Sequence, residues 1–148
     1  MAGEDRGHIK DPYLGFSFRV EITGVEVGGF SEVSGLQVEI QTEDYQEGGM
    51  NEYTHKLAGP ARYPSNLVLK RGLIDSDVLW QWQRDVVEGR VIRRNGSIVL
   101  MNGAGEEKWR WNFTDAYPVK WNGPDLRGAS ADVALETLEL AHRGITKQ

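Results

Sequence analysis

Phe16-Ser17-Phe18-Arg19-Val20-Glu21-Ile22-Thr23 and Leu36-Gln37-Val38-Glu39-Ile40-Gln41-Thr42-Glu43 are the stretches whose reading decides the fold. Apolar and polar residues alternate strictly through the first and from Leu36 to Gln41 in the second. Side chains on a strand point to opposite faces with period two, so each stretch forms a ribbon with one apolar and one polar side. Such ribbons belong to antiparallel sheets that cover a core with one face and meet water with the other. The link between them, Gly28-Gly29-Phe30-Ser31-Glu32-Val33-Ser34-Gly35, is rich in turn residues.

Working outward, residues 1–15 read as a polar N-terminal arm ending near Asp11-Pro12-Tyr13, where proline favours extended or turn geometry. The remainder, 16–148, reads as a single domain. From Gln46 to Asn66 neither period is clear, and glycine and proline recur; the expectation is a long loop over about 46–66. Tyr45, Met50, Tyr53, Leu57 and Tyr63 make it too apolar for plain disorder, so it is expected to order against another surface. Leu67 to Arg71 is a short strand closed by Gly72. One helix is expected over about residues 76–88, with Asp75 or Ser76 as N-cap, Leu79, Trp82 and Val86 as the buried stripe, and Gly89 as the stop. Asn95-Gly96 suggests a hairpin turn, and Asn102-Gly103-Ala104-Gly105 the next one. Trp109, Trp111 and Phe113 form an apolar row on a strand from Lys108 to Thr114. Ala131 to His142 is ambiguous. Its Ala, Leu and Glu content favours helix, whereas a strand needs a change of phase near Glu136, such as a β-bulge supplies.

The chain has 148 residues, no cysteine and a net charge of −5. That length is enough for one domain burying roughly 68–70% of its unfolded surface without staples. Disulfide and thiolate chemistry are excluded. No apolar leader or membrane-length run is visible, so synthesis and folding in the cytoplasm are expected, without membrane insertion by this chain. A mildly acidic surface argues against sequence-specific nucleic-acid binding.

No catalytic constellation emerges. His8, His55 and His142 lack ligand spacing, and no nucleophile elbow or phosphate loop is present. Glu136 and Glu139 would point to opposite faces of a strand, which prevents shared acid–base work. No cofactor or metal is expected. The reading from the residues alone leaves a β-domain that either assembles or binds. One form of the latter is a small β-sandwich module using the 46–66 loop and its aromatics for a ligand; an enzyme of unrecognised type is the remaining alternative.

Several motifs occur in one order: Asp11-Pro12-Tyr13, Phe16 to Ile22, Gly29 to Leu36, Tyr45-Gln46-Glu47-Gly48-Gly49, Leu69-Lys70-Arg71-Gly72, Trp111-Asn112-Phe113, Ala116-Tyr117-Pro118, Lys120-Trp121 with Gly123-Pro124-Asp125, and Glu136 to His142. The set resembles the tail tube proteins of contractile-tailed phages, especially the inner tube subunits of phage-like extracellular contractile injection systems. It departs at Arg143-Gly144, where the family leads one to expect an acidic residue before the glycine. The resemblance implies a mainly β fold, an antiparallel β-barrel or sandwich with one flanking helix, and it turns the 131–142 segment into a strand. It implies hexameric rings stacked into a hollow inner tube for DNA or protein cargo. The implied partners are a sheath protein and baseplate or tube-initiator and terminator proteins, within a phage tail or injection particle. Under that reading Arg19, Glu21, Gln37, Glu39 and Gln41 are candidates to face the lumen. Tyr45, Gln46, Glu47, Gly48, Gly49, Met50, Asn51 and Tyr53 are candidates for contacts between subunits across stacked rings.

Overall fold

The computed structural model describes residues 15–25, 29–45, 55–129 and 131–148. The strands are β1 (Ser17–Ile22), β2 (Glu32–Ser34), β3 (Glu39–Tyr45), β4 (His55–Arg62), β5 (Leu67–Gly72), β6 (Arg94–Met101), β7 (Glu107–Asn122), β8 (Leu135–Ala141) and β9 (Gly144–Lys147), with the helix α1 (Val78–Val87) between β5 and β6. Seven strands run in the order β1-β6-β7-β8-β5-β2, with β9 also on β7, and all neighbours are antiparallel.

The 16-residue β7 organises this arrangement. Its first half pairs with β6 and β9, and its second half with β8, so two four-stranded layers share one strand. The bend lies where Asp115 takes φ 52° and two β7 residues oppose Asn95 alone. The Asn95 side-chain oxygen accepts the Asp115 N–H at 3.0 Å and closes this bulge. Asn95-Gly96 is therefore not a hairpin turn; it lies within the β6 ladder, opposite a bend. The turn between β6 and β7 is instead Asn102 to Glu106, where the Asn102 carboxamide accepts from the Ala104 and Glu106 amides.

Gly96 is required by close approach. A Cβ there would lie 2.3 Å from Phe113 Cζ and 2.5 Å from the Glu21 carbonyl oxygen. Gly96→Ala is thus expected to cost about 3 kcal/mol, the upper range for overpacking a tight core. The measurement is a urea unfolding midpoint; a loss below about 0.5 kcal/mol, typical of an ordinary surface change, contradicts the argument.

The core joins Val20 and Ile22 of β1, Ile98 of β6, Phe113 and Ala116 of β7, Leu67 and Leu69 of β5, Leu138 and Leu140 of β8, and Leu79 and Trp82 of α1. The helix packs against β7. The Trp82 indole N–H donates to the Ile92 carbonyl at 2.8 Å, so its polar edge is satisfied. The cap differs from expectation. Asp77 is the N-cap residue without a side-chain cap bond, and its carboxylate accepts the Gln81 amide at 3.1 Å instead. Gly89, at φ 89°, provides the expected left-handed stop. Of the aromatic row, only Phe113 is fully buried; Trp111 is half-buried, and Trp109 lies exposed, stacked on it at 5.4 Å.

β8 corrects the sequence reading most. There is no bulge at Glu136, and its register with β5 is unbroken from Leu135 to Leu140. The alternation simply continues, so Glu136, Leu138 and Leu140 share the buried face while Leu135 is exposed. Glu136 is 2% exposed and paired with Arg71, 1% exposed, across the β5–β8 register at 2.9 Å. Its other oxygen accepts the Trp121 indole N–H at 3.0 Å.

Candidate assembly interface

β3 and β4 form a separate two-stranded sheet, hydrogen-bonded to no other strand among the described residues. Residues 55–62 are thus strand rather than part of a long loop. A bulge allows this despite Gly59 and Pro60, which lie together opposite Gln41 while Ile40 pairs with Ala61 and Thr42 with Ala58. Proline fits where the ladder is interrupted, and a Cβ at Gly59 would meet the Gln41 carbonyl at 2.7 Å.

The ribbon's apolar side is left uncovered by the described residues. Val38 is 60% and Ile40 50% exposed, and Leu36, Ala58 and Ala61 are exposed as well. The expectation that this side would help cover the core, as β1 does, fails; only the first ribbon is used that way. An isolated hairpin is marginally stable at best, and β-branched residues standing free in water gain nothing from folding. Gln37, Glu39 and Gln41 on the alternate positions are also exposed, so neither side of this ribbon is turned to the chain's own core.

Arg19 and Glu21 belong to a second polar surface, the outer face of β1, β6 and β7. The Glu21 carboxylate accepts from Arg19 Nε and Arg110 Nη1, both at 2.8 Å, and Arg110 also grips Glu107 through two nitrogens at 2.8 and 3.0 Å. Ser97, Asn112 and Gln148 continue the face as a hydrogen-bonded row. Val99, flanked in register by Arg19 and Arg110, is fully buried yet lies outside the main core cluster. Long charged side chains cover apolar surface with their stems, which leaves this face mostly polar.

Glu21 is held below the ordinary carboxylate range by its bond from Arg110 and then by that from Arg19. Arg110 likewise holds Glu107 low. Carboxylates with lowered folded values stabilise above their unfolded value and lose that contribution as pH falls through the folded one. Arg110→Met is therefore expected to lower the urea midpoint slightly at neutral pH. That difference should shrink well below about pH 4, once both carboxylates are protonated. The effect is small because the carboxylates are half exposed and screened. A difference unchanged in acid would mean that packing, not charge, was lost.

At the Arg143-Gly144 departure, Arg143 lies 3.3 Å from the Asp115 carboxylate, so the arginine finds its acidic partner across the strand. Tyr45 ends β3, and its side chain, like all of Gln46, Glu47, Gly48, Gly49, Met50, Asn51 and Tyr53, lies outside the described residues. No group of three or more His, Asp and Glu side chains gathers as a metal site among the described residues. No helix among them is long and apolar enough to cross a membrane.

The described residues form a mainly β domain with an exposed apolar ribbon and a polar outer face, an architecture suited to a structural subunit. The family described as T4-like virus tail tube protein gp19 matches residues 14–146, and the chain belongs to that tail tube family. Among solved structures, the fold is similar to a chain of the anti-feeding prophage baseplate, with TM-score 0.81, 26% identity and coverage of 95% of this chain and 97% of that one. It is similar to a chain of the extended sheath–tube complex of the PVC extracellular contractile injection system, with TM-score 0.81, 26% identity and coverage of 95% and 93%. It is also similar to a chain of the anti-feeding prophage tube terminating cap, with TM-score 0.83, 25% identity and coverage of 100% and 99%. None of the curated proteins matches the sequence. The role is that of a structural tube subunit of a phage tail or contractile injection particle.

Proposed function

We propose that six copies of this chain close into a ring, and that rings stack into the hollow inner tube of a contractile particle, with no catalytic activity. The exposed apolar side of the β3–β4 ribbon carries this reading. A neighbour seated on Leu36, Val38 and Ile40 removes that surface from water. Joining strand edges around a ring also removes the hazard of the open edges. The partners proposed for the tube are a sheath protein around it, a baseplate or initiator at one end and a terminator at the other, as the baseplate, sheath–tube and cap assemblies that hold similar chains suggest. Arg19, Glu21, Gln37, Glu39 and Gln41 are proposed for the lumen, where mixed polar groups let DNA or protein cargo slide without sticking.

Contacts between stacked rings are assigned to Tyr45 through Asn51 and to Tyr53. Deleting Glu47 to Asn51 is expected to leave a soluble, folded chain that still forms rings but no long tubes under negative-stain microscopy. Normal tubes from that deletion refute the assignment. For the reading as a whole, sedimentation and microscopy of the chain, alone and co-expressed with the other particle proteins, should show six-fold rings. A strictly monomeric species in both settings would leave the small β-sandwich binding module in its place.

A further inference from the structure

We infer that the cavity between the start of α1 and Trp121 is a receptor for an arginine side chain presented by a basic protein partner. The inference stands whether or not the chain forms rings. The cavity has a volume of about 480 Å³, and Leu73, Ile74, Trp80, Trp121, Asp75 and Asp77 are among its lining residues. Trp80 and Trp121 meet edge to face, with ring centroids 4.8 Å apart and planes at 70°. Trp121 is fixed by its bond to Glu136, and Glu136 is in turn neutralised by Arg71. The aromatic wall is therefore built in advance, while Trp80 remains 41% exposed and Leu73 and Ile74 stand free beside it.

The charge of the lining selects the occupant. Asp75 and Asp77 stand with the two tryptophans; among the described residues no lysine or arginine lines the cavity, and the Asp77 carboxylate accepts only the neutral Gln81 amide. The positive end of α1 amounts to about half a charge, less than two full carboxylates, so the cavity favours a cation. A cation over an indole face gains further attraction. Arginine suits this combination because its planar guanidinium stacks on tryptophan and bonds a carboxylate through two nitrogens, while its stem covers Leu73 and Ile74. The chain's net charge of −5 points to a basic partner rather than a second copy.

The test is tryptophan emission of the full chain titrated with N-acetyl-arginine amide and, at matched ionic strength, with the neutral isostere N-acetyl-citrulline amide. The arginine probe is expected to give a saturable change with a dissociation constant on the order of 1 mM, as one cation–π contact and one or two exposed ion pairs allow. The citrulline probe should bind at least about tenfold more weakly, equivalent to ~1.4 kcal/mol. The double variant Asp75→Asn/Asp77→Asn should weaken the arginine probe by a similar factor. Asparagine remains a good N-cap, so helix content by circular dichroism should be unchanged. Equal binding of the two probes, undiminished binding by the double variant, or no saturable response to arginine would each overturn the proposal. So would stronger binding of N-acetyl-glutamate amide, which would mark an anion site.

Discussion

Val38→Asp/Ile40→Asp is expected to yield a soluble, folded chain that forms neither rings nor tubes. Both side chains are at least half exposed, so the folded protomer loses little; surface changes of this kind usually stay within about 0.5 kcal/mol. Assembly is another matter. Each valine or isoleucine that passes from water into a contact contributes roughly 1.5–3 kcal/mol, and an aspartate in its place must be desolvated without a partner. Loss of two such residues at one contact weakens it by a factor of about 10² to 10⁴. Closure of a ring repeats the loss at every contact. The control is Glu39→Gln/Gln41→Ala on the other side of the same ribbon, which should leave tubes intact. Sedimentation and negative-stain microscopy read both. Tubes from the aspartate variant would show that the apolar side formed by Val38 and Ile40 is not the contact.

The structure explains why some elements were legible from the residues and others were not. β1, β5 and α1 each bury a regular stripe inside their own chain, so period and packing agree. The stretch from Leu36 to Gln41 follows the same alternation but buries neither side. A period shows that a face is apolar without showing which molecule will cover it. β4 was obscured by Gly59-Pro60, which usually ends a strand and here only fills a bulge. Asn95-Gly96 misled for a related reason: its small size and carboxamide serve the Asp115 bend in the adjacent strand rather than a turn of its own. The continuation of β7 through Pro118 depends on the register shift between Pro118 and Lys120, which no local pattern signals.

The interface was less legible than the fold. Arg19 and Glu21 were readable as a wet face, but the network through Arg110 and Glu107 joins residues 89 apart in sequence. The arginine receptor was invisible because Trp80 and Trp121 come from a helix and a distant strand. Neighbouring Trp82, by contrast, followed the helical stripe and is fully covered.

Removing one member of the Arg71–Glu136 pair is expected to be among the most destabilising single changes available to the chain. Neither charge reaches water, and Glu136 also holds the Trp121 indole. The pair is incompletely satisfied, because Arg71 Nη1 and Nη2 have no hydrogen-bond partner among the described residues, and the guanidinium carbon lies 5.6 Å from the Phe30 ring centroid. Glu136→Leu strands a buried cation, and Arg71→Met strands a buried carboxylate; each should cost about 3–5 kcal/mol. That is a large share of a total stability of roughly 5–15 kcal/mol. The double variant Arg71→Met/Glu136→Leu should recover much of the loss, since an imperfect buried pair gives way readily to apolar packing of similar volume. What it does not recover is the acceptor for the Trp121 N–H, about 1–3 kcal/mol. Urea unfolding in the Val38→Asp/Ile40→Asp background keeps assembly from masking these differences. The diagnostic quantity is the non-additivity of the two changes, expected at about 2 kcal/mol or more for groups in direct contact. Additive losses would mean that the two charges are stabilised by separate surroundings and that the match in register is incidental.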